Sequence, residues 1–360
     1  MGLSYKLDKA SNKFNVLVRK ILVTYGEYRN ISIKRNLWTS VTLTKEQKKA
    51  IDEYYLENYG KKIPYVWHRL YQSYTGIFRR DYFPEIFLST KLEPVVNPYH
   101  SAELLGDKNL LGRFFNRVDN LHIPHTYFEC IKGNYFDEKH CPISKKKLIE
   151  QLSNRHGFVI KKTVDTSSGR DVEIINDNVI DVEKLVDMFG DNYVIQELID
   201  QNESLKRLNS SSLNTFRVIS YLCDEDIYIC PISLRLGRNG AKKDNIHYGG
   251  ISVGVNSDGT LKKYAFTEFG EKFSKHPDSG IEFDGYSIEK TYEDFEEIAR
   301  QLHARIPWLG IISWDFSIDS KGQIVLIEMN TTGQSAWFPQ MVNGEPLFGK
   351  NTEKILKMIK

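Results

Sequence analysis

Two carboxylates and a carboxamide in the last third of this 360-residue sequence form a pattern that suits metal binding. Asp315 lies in one strand-like run, Glu328 and Asn330 lie in the next, and the turn-forming sequence Asp-Ser-Lys-Gly separates the two runs. Because side chains alternate along a strand, a hairpin with a two-residue turn at Ser320 and Lys321 would bring all three onto one face. Their oxygen atoms suit a hard cation such as Mg²⁺, which keeps other positions for phosphate.

The same turn also fixes the expected neighbours of the carboxylates. Asp315 would lie opposite Leu326, and Ser313 would lie opposite Glu328. Leu326 would also share the face of Glu328. A solvated polar sheet face is the alternative interpretation of such a hairpin, but the apolar run at residues 325–329 favours a buried Glu328. The metal-site prediction therefore depends on a phosphate-binding partner elsewhere in the chain.

A lysine beside a short loop is a candidate for that phosphate partner. Residues 158–161 (Phe-Val-Ile-Lys) are expected to form a strand, which places Lys161 just before the loop. A lysine supplies a point charge, and loop N–H groups can surround a phosphate. The loop residues expected to take part are Ser167, Ser168 and Gly169. Lysines on strands and Ser-Gly turns are both common, and the adjacent Lys162 is expected on the opposite, solvent-facing side.

The spacing of hydrophobic residues indicates which elements carry these side chains. Residues 1–105 are expected to be mainly helical, and a capping-box pattern at Thr44 begins one of the helices. From about residue 110 short strand-like runs replace this pattern, with helices expected at residues 181–189 and about 292–306. The strands predicted for the C-terminal half are residues 216–222, 227–236, 250–255, 311–318 and 323–329. The sequence therefore predicts an α+β protein with a mostly antiparallel sheet in that half.

Composition excludes several classes of protein. The 49 Lys and Arg residues against 47 Asp and Glu give a net charge of +2, which offers no electrostatic case for nucleic-acid binding. No run reaches the roughly 18 apolar residues of a transmembrane segment, and the first thirty residues lack the features of a secretory signal. We therefore expect a cytoplasmic protein. The cysteines, which show no metal-binding or disulfide-framework spacing, are Cys130, Cys141, Cys223 and Cys230.

Taken together, these motifs resemble the ATP-grasp superfamily, and within it the sugar-transfer-associated ATP-grasp proteins. Lys161, its Ser-Gly loop and the closing Asp315 with Glu328-Met-Asn330 occur in the order of that family. The intervening segments that match are Val-Ile-Gln-Glu-Leu-Ile at 194–199, Asn-Thr-Phe-Arg at 214–217, Ser-Leu-Arg at 233–235 and Asn-Ile-His-Tyr-Gly-Gly at 245–250. The resemblance covers roughly residues 106–345.

The resemblance implies a fold of two α+β lobes with a mainly helical N-terminal extension. The implied domains are a helical region at residues 1–105, a first lobe at 106–200 and a second lobe at 201–360 that carries the metal-binding hairpin. ATP would lie between the lobes together with two Mg²⁺ ions as cofactors. Mn²⁺ would be able to substitute for Mg²⁺.

The resemblance also assigns residues to the nucleotide and the metal. Lys108 and Lys161 would hold the α- and β-phosphates, and Glu203 would reach the ribose. The adenine would be lined by Gln196, Glu197 and Leu198. The metal ligands would be Asp315, Glu328 and Asn330.

Three further residues are implied to act on the transferred group. Arg217 and Arg235 would stabilise the γ-phosphate or an acyl phosphate, for which the planar guanidinium is well shaped. His247 would belong to a loop over the active centre, in which Asn245 would contact the nucleotide. An isolated arginine is more often part of a surface ion pair, and a lone histidine is more often structural than catalytic.

The function implied by the resemblance is ATP-dependent ligation of a carboxylate to an amine. The carboxylate would attack the γ-phosphate to give an acyl phosphate, and the amine would then displace phosphate to leave an amide. The family association suggests a sugar acid and an amino acid as the small-molecule substrates, in biosynthesis of a surface polysaccharide such as capsule or O-antigen. Polysaccharide-assembly enzymes would be the partners.

Three alternatives remain open at this point. One is a ligase that adds amino acids to a peptide or protein; another is a non-catalytic nucleotide-binding partner of a glycosyltransferase; a third is a kinase that stops at phosphorylation. The sequence also departs from the family in two places. The segment after Asn330 is Thr-Thr-Gly-Gln-Ser, without the usual proline, and the N-terminal third lacks a βαβ pattern. Both departures leave the acceptor substrate open.

Overall fold

The chain forms two compact units, of which one is discontinuous in sequence. The computed structural model describes residues 2–115, 117–164, 171–176 and 181–360, with side chains from residue 18 onward. One unit consists of residues 1–97 together with 333–360, and the other of residues 98–332. The last 28 residues of the predicted third segment therefore belong with the N-terminal helical region.

Helices make up nearly all of the first unit and flank the sheets of the second. The α-helices are α1 (Gly2–Ile33), α2 (Arg35–Thr39), α3 (Lys45–Tyr59), α4 (Val66–Thr75), α5 (Glu85–Phe87), α6 (Glu93–Val96), α7 (Tyr99–Leu105), α8 (Leu111–Phe115), α9 (Lys145–Ser153), α10 (Val182–Phe189), α11 (Glu203–Leu208), α12 (Tyr292–Ala304), α13 (Trp337–Asn343) and α14 (Thr352–Met358). A π-helical turn at Leu88–Leu92 links α5 to α6, and short 3₁₀ turns occur at Lys108–Leu110, Ile246–Tyr248 and Gly349–Asn351.

All of the described strands lie in the second unit. They are β1 (Leu121–His122), β2 (Thr126–Ile131), β3 (Asn134–Asp137), β4 (Pro142–Ile143), β5 (Phe158–Lys162), β6 (Val172–Ile175), β7 (Asn192–Glu197), β8 (Thr215–Cys223), β9 (Asp226–Ile229), β10 (Ser233–Leu236), β11 (Ile251–Val255), β12 (Leu261–Phe266), β13 (Lys272–Phe273), β14 (Ile311–Ile318) and β15 (Ile324–Asn330).

The helical unit is held together by buried polar contacts as well as aromatic packing. The capping box predicted at Thr44 is present, because Thr44 and Gln47 each accept a hydrogen bond from the other's backbone N–H. Gln340 in α13 accepts from the N–H of Phe83 at 2.8 Å and donates to its carbonyl at 2.9 Å. These bonds satisfy a buried backbone pair, so α13 completes the core that the N-terminal helices begin.

The smaller sheet has six strands in the order β4-β3-β2-β7-β5-β6, all antiparallel. Helices α9 and α10 cover one face, and their Leu148, Leu152 and Val186 pack with Phe158 and Ile160 of β5. The helix predicted at residues 181–189 is confirmed as α10, whose first turn is capped by Asp181. This sheet positions Lys161 near the end of β5.

The larger sheet has nine strands and carries most of the candidate site. Its order is β1-β15-β14-β8-β10-β11-β12-β13, with β9 paired to β8 on the same side as β10. Only β1 and β15 pair in parallel among the described strands. Helix α12 packs Phe295, Ile298 and Leu302 into the sheet core, as predicted for residues 292–306, and Phe295 lies 4.7 Å from Phe216 between ring centroids. The predicted antiparallel sheet is thus confirmed.

One predicted strand is divided in the structure. Residues 227–236 form β9 and β10 rather than a single strand. Pro231 lies between them and has no N–H to donate to a sheet, so the ladder is interrupted there. Cys230 still donates its N–H to the carbonyl of Ile219 at 2.8 Å before the break. The interruption lets β9 and β10 pair with different parts of β8.

The predicted register of the β14–β15 hairpin is wrong, because the turn and strand β15 each contain one residue more than expected. The turn is one residue longer than expected: Asp319 donates to the carbonyl of Gln323, and its carboxylate accepts two backbone N–H groups of the turn. Ile327 is then an extra residue, because the register shifts between the pairs Phe316–Leu326 and Asp315–Glu328.

Each extra residue alone would move Glu328 to the other face of the sheet. Together they restore the face and set Asp315 directly opposite Glu328, and Ser313 opposite Asn330. The expected pairs of Asp315 with Leu326 and of Ser313 with Glu328 are therefore incorrect. Leu326 is paired with Phe316 and lies in the hydrophobic core, so it does not share the face of Glu328 as expected.

Candidate functional site

A row of charged side chains crosses three adjacent strands of the larger sheet. Arg217 of β8 lies opposite Asp315 of β14, which lies opposite Glu328 of β15. The Arg217 guanidinium donates to both oxygens of the Asp315 carboxylate, from Nε at 2.7 Å and from Nη2 at 3.3 Å. This bidentate ion pair is fixed by strand register rather than by a flexible loop.

A second arginine reaches the same carboxylate from the next strand. Arg235 of β10 lies opposite Thr215, and its Nη2 is 3.0 Å from Oδ2 of Asp315. Its Nε donates to the Thr215 hydroxyl at 3.0 Å and lies 3.6 Å from Oδ2 of Asp244. Thr215 in turn donates a hydrogen bond to Asp244. Both arginines thus contact the buried Asp315, and Arg235 also contacts the partly buried Asp244.

The burial of these groups shifts their pKa values in different directions. Burial alone would raise the pKa of Asp315, but the adjacent Arg217 and Arg235 outweigh it and hold that pKa below its usual range. Burial would lower the pKa of Arg235, yet Asp315 and Asp244 raise it. Burial raises the pKa of Asp244, with Arg235 only partly opposing it. The two arginines therefore favour the ionised form of the Asp315 carboxylate.

Two lysines from outside the larger sheet reach the same region. Nζ of Lys108 is 3.0 Å from Oε1 of Glu328, and Nζ of Lys161 donates to the carbonyl of Ile327 at 3.3 Å. Lys161 is only 7% exposed, and burial together with the charge of Lys108 lowers its pKa to about 8. The structure therefore brings both predicted phosphate-binding lysines to the strand that carries Glu328.

The strand phase predicted for the two adjacent lysines agrees with the structure. Lys161 is buried, whereas the Lys162 side chain is 40% exposed and pairs with Asp171 at 3.3 Å. The loop residues Ser167, Ser168 and Gly169 lie outside the described residues.

The side chains on this face fit a divalent cation by their chemistry. Asp315 and Glu328 are opposed across one strand pair, and Asn330 donates weakly to Asp315 from its Nδ2 at 3.4 Å. Such hard oxygen donors match Mg²⁺ when phosphate and water complete its coordination. Among the described residues no group of three or more His, Cys, Asp or Glu side chains is arranged for a metal, so any ion here needs the carboxamide or a ligand.

The predicted adenine-lining residues lie at the end of β7. Gln196 is buried and donates from Nε2 to the Thr126 hydroxyl at 3.0 Å, while its Oε1 has no partner among the residues that the structure describes. The Glu197 carboxylate accepts from the backbone N–H of His125 at 2.7 Å and lies 2.8 Å from the His122 ring. Leu198 follows directly, and Glu203 is exposed in the first turn of α11. The side chain of Glu197 therefore holds β1 and β7 in place.

The loop between β10 and β11 carries the remaining predicted residues. Asn245 accepts the N–H of His247 at 2.8 Å and begins a 3₁₀ turn. His247 is half-exposed, and its Nδ1 lies 2.7 Å from Oε2 of the mostly buried Glu268. Gly250 is packed so closely that an added Cβ would lie 2.7 Å from the carbonyl oxygen of Asp244. These contacts hold the loop next to the arginine–carboxylate cluster.

Sequence reasoning missed two members of this cluster. Thr215 lies two residues before Arg217 on the same strand, so the alternation of side chains would have placed it on the same face. Asp244 lies in the loop just before Asn245, where no periodicity exists to reveal its direction. Only the tertiary structure shows that it meets Arg235.

A family model confirms the resemblance drawn from the motifs. The model, described as sugar-transfer associated ATP-grasp, matches residues 88–356. The chain therefore belongs to the sugar-transfer associated ATP-grasp family. The α+β fold agrees with that assignment, and so does the helical region that precedes the strands. No curated protein matches the chain significantly.

Solved structures with a similar fold are distant. N5-carboxyaminoimidazole synthetase from Staphylococcus aureus, complexed with ADP, is 12% identical, with 70% of this chain and 55% of that chain covered and a TM-score of 0.38. Biotin carboxylase from Campylobacter jejuni is 15% identical, with 73% of this chain and 48% of that chain covered and a TM-score of 0.43. The D-alanine-D-alanine ligase from Coxiella burnetii is 10% identical, with 73% of this chain and 59% of that chain covered and a TM-score of 0.40. The chain spans about half the length of these proteins. Among the described residues no helix has the length and apolar character of a membrane span.

Proposed function

We propose that the protein is an ATP-dependent ligase that joins a carboxylate to an amine, with release of ADP and phosphate. The observation that carries the proposal is the convergence of four cationic side chains on the strands of Asp315 and Glu328: three form ion pairs with these carboxylates, and Lys161 donates to the carbonyl of Ile327 beside them. The cations are Lys108, Lys161, Arg217 and Arg235. The four cations outnumber the carboxylates Asp315, Glu328 and Asp244 that they meet, and a polyphosphate anion with its metal ion would compensate the remaining positive charge, which a neutral ligand would not.

Each group has a role that follows from its position. Lys108 and Lys161 bind the polyphosphate and orient it, because both ammonium groups lie beside β15. Asp315, Glu328 and Asn330 would hold Mg²⁺, which supplies charge neutralisation at the phosphate oxygens. Gln196, Glu197, Leu198, Glu203 and Asn245 are the candidates for binding the nucleoside.

Arg217 and Arg235 compensate the negative charge that accumulates when the substrate carboxylate approaches the γ-phosphate of ATP. The substrate carboxylate oxygen attacks the γ-phosphorus, the bond to the β–γ bridging oxygen breaks, and ADP leaves with that electron pair. The amine nitrogen then attacks the acyl carbon, phosphate leaves, and the amine gives up a proton. Guanidinium groups fixed in buried ion pairs reorganise little during these steps, which favours the transition state.

The finer assignment follows the family description. We propose a sugar acid as the carboxylate and an amino acid as the amine, in polysaccharide biosynthesis, because the family is associated with sugar transfer. The proposed setting is cytoplasmic, alongside polysaccharide-assembly enzymes.

Product analysis tests the reaction. Purified protein with ATP and Mg²⁺ is screened against pairs of uronic acids and amino acids, and ADP and products are followed by mass spectrometry. We expect an amide together with one ADP, and hydroxylamine should trap the acyl phosphate as a hydroxamate. A stable phosphorylated product would indicate a kinase instead, and absence of turnover with retained ADP binding would indicate a non-catalytic nucleotide-binding protein.

Glu328→Gln tests the metal site separately. The substitution keeps the shape of the side chain but removes the charge, so Mg²⁺-dependent ADP release should fall by at least about a hundredfold while the fold is retained. Glu150→Gln is the matched control, because this exposed glutamate of α9 is not part of the cluster. Near-normal turnover of Glu328→Gln would show that the metal assignment is wrong.

A further inference from the structure

The long helix α1 presents an apolar face to solvent. Besides Ile33 at its last residue (58% exposed), its exposed large hydrophobic side chains among the described residues are Val18 (37%), Ile21 (59%), Leu22 (64%), Tyr25 (69%) and Tyr28 (48%). At 3.6 residues per turn these positions recur on one side of a helix. An exposed apolar stripe of this kind marks a binding surface, because scattered single hydrophobic residues would not align.

Helix α1 packs in its own unit toward its C-terminal end. Ile31 is buried, and its carbonyl accepts a hydrogen bond from the indole of Trp38 at 3.0 Å. Lys34, just after α1, is 2% exposed, and its Nζ lies 3.4 Å above the Trp337 ring. Within the stripe, Tyr28 also contacts the core, because its ring centroid lies 6.1 Å from that of the buried Trp67. The core contacts named here therefore lie toward the C-terminal end of α1, whereas Val18, Ile21, Leu22 and Tyr25 are exposed.

The charge of this segment is unlike that of the remaining chain. Residues 1–35 contain eight Lys and Arg but only two acidic residues, a net charge of +6. Because the whole chain has a net charge of +2, residues 36–360 carry a net charge of −4. The net positive charge of the protein therefore comes from the segment that carries the apolar stripe, and the partner of this segment should be anionic.

The sequence before residue 18 continues both patterns. Hydrophobic residues occur at the spacing of the exposed stripe, namely Leu3, Leu7, Ala10, Phe14 and Leu17. Lysines occur at the complementary spacing, namely Lys6, Lys9, Lys13 and Lys20. A basic amphipathic sequence of this length is typical of helices that lie in the plane of a membrane surface.

We propose that α1 binds the surface of an anionic lipid bilayer through the stripe defined by Val18, Ile21, Leu22, Tyr25 and Tyr28. Aliphatic side chains enter the boundary between headgroups and acyl chains, tyrosines suit the interface, and the basic residues contact anionic headgroups. A second copy of α1 is a poorer partner, because two helices of the same positive charge repel each other and few acidic residues are present to form interhelical pairs.

Vesicle binding of the full chain tests this proposal. Partition is measured by co-sedimentation with vesicles of phosphatidylcholine alone and of phosphatidylcholine with roughly one-third phosphatidylglycerol. We expect at least about tenfold stronger partition onto the anionic vesicles, and a large part of it should be lost at about 0.5 M NaCl. Equal partition onto both vesicles, or none onto either, would overturn the proposal.

Leu22→Glu and Leu104→Glu form a matched pair for the stripe. Both leucines are exposed on helices, at 64% and 69%, but Leu104 lies in α7 outside the stripe. Leu22→Glu should lower partition at least about tenfold, because it removes buried apolar area and adds a negative charge, whereas Leu104→Glu should stay within about twofold of the unaltered protein. Circular dichroism confirms that both variants fold.

Two outcomes would contradict the assignment to lipid. Partition that is unchanged in Leu22→Glu would show that the stripe does not contact the bilayer. A Leu22→Glu variant that converts a dimer to a monomer in sedimentation, with no lipid binding in either form, would identify the stripe as an interface between copies of the chain.

Discussion

Lys161 and Lys162 are adjacent in sequence yet occupy different environments, which makes them a sharp test at the residue scale. Lys161→Ala removes a buried ammonium beside β15 and should weaken ADP binding at least about tenfold. Lys162→Ala removes a half-exposed surface pair with Asp171 and should change ADP affinity less than about twofold. Isothermal titration calorimetry measures both. Equal losses would mean that Lys161 does not face the nucleotide.

The lowered pKa of Lys161 predicts proton uptake on nucleotide binding. With a pKa of about 8, the ammonium is roughly half deprotonated at pH 8, and a bound polyphosphate favours its charged form. ADP binding at pH 8 should therefore take up about half a proton, and at pH 6.5 almost none from this group, because Lys161 is already charged there.

Calorimetry in buffers of different ionisation enthalpy measures this proton. Lys161→Arg, which stays charged at all these pH values, should abolish the uptake, while Lys162→Arg should leave it unchanged. Undiminished uptake in Lys161→Arg would assign the proton to another group.

The sequence predicted the residue-level pattern well where side-chain alternation decides it. The faces of Lys161 and Lys162 and the shared face of Glu328 and Asn330 followed from strand period alone. Asp315 was placed on the face of Glu328 correctly only because two errors of register cancelled. Asp244 could not be predicted, because a loop residue has no periodic position from which its contact with Arg235 could be inferred.

Gly250 allows the loop after β10 to fold back on itself, because its missing Cβ leaves room for the backbone of the same loop. An added Cβ would lie 2.7 Å from the Asp244 carbonyl oxygen and 2.9 Å from that of Asn245. Gly250→Ala should therefore destabilise the fold by about 2 kcal/mol, or displace the loop and lower turnover. Gly112→Ala in α8, with no atom within 4 Å of the added Cβ, should stay within roughly 1 kcal/mol. Thermal unfolding compares the two, and equal melting temperatures would contradict the crowding argument.

The hairpin of β14 and β15 shows how far element-level prediction extends. Strand existence and antiparallel pairing were predictable from apolar runs and a Gly-containing turn. Turn length and the extra residue at Ile327 were not, because a bulge is decided by packing between strands and leaves little trace in one sequence. The two errors cancelled in the choice of face but not in the choice of neighbour.

At the scale of the whole molecule, Gln340 tests the discontinuous helical unit. Its buried side-chain amide accepts hydrogen bonds from the N–H groups of Phe83 and Leu347, the latter at 3.1 Å, and donates one to the carbonyl of Phe83. Gln340→Ala leaves these backbone groups without that partner, so the helical unit should lose roughly 3 kcal/mol of stability. Gln151→Ala, at an exposed position of α9, should cost far less. Chemical denaturation followed by circular dichroism measures the difference, and similar midpoints would show that the amide contributes little.

The division of the molecule was the feature least accessible from sequence. A helical N-terminal region was evident, but its partnership with residues 333–360 depends on contacts such as Gln340 with Phe83, which are 257 positions apart. Local periodicity carries no information about pairing at that distance. The expected boundary near residue 105 consequently described only one end of the helical unit.

The split helical unit also determines the order in which the protein can be completed during synthesis. Residues 98–332 leave the ribosome before α13 and α14 exist, so the sheet-containing unit can fold while the first 97 residues still lack part of their core. In that interval aromatic side chains such as Tyr82 and Phe83, which are fully buried in the finished protein, have no complete interior to enter. Nascent chains halted before residue 333 should therefore engage chaperones through their N-terminal helices, and release of the finished chain should end that engagement.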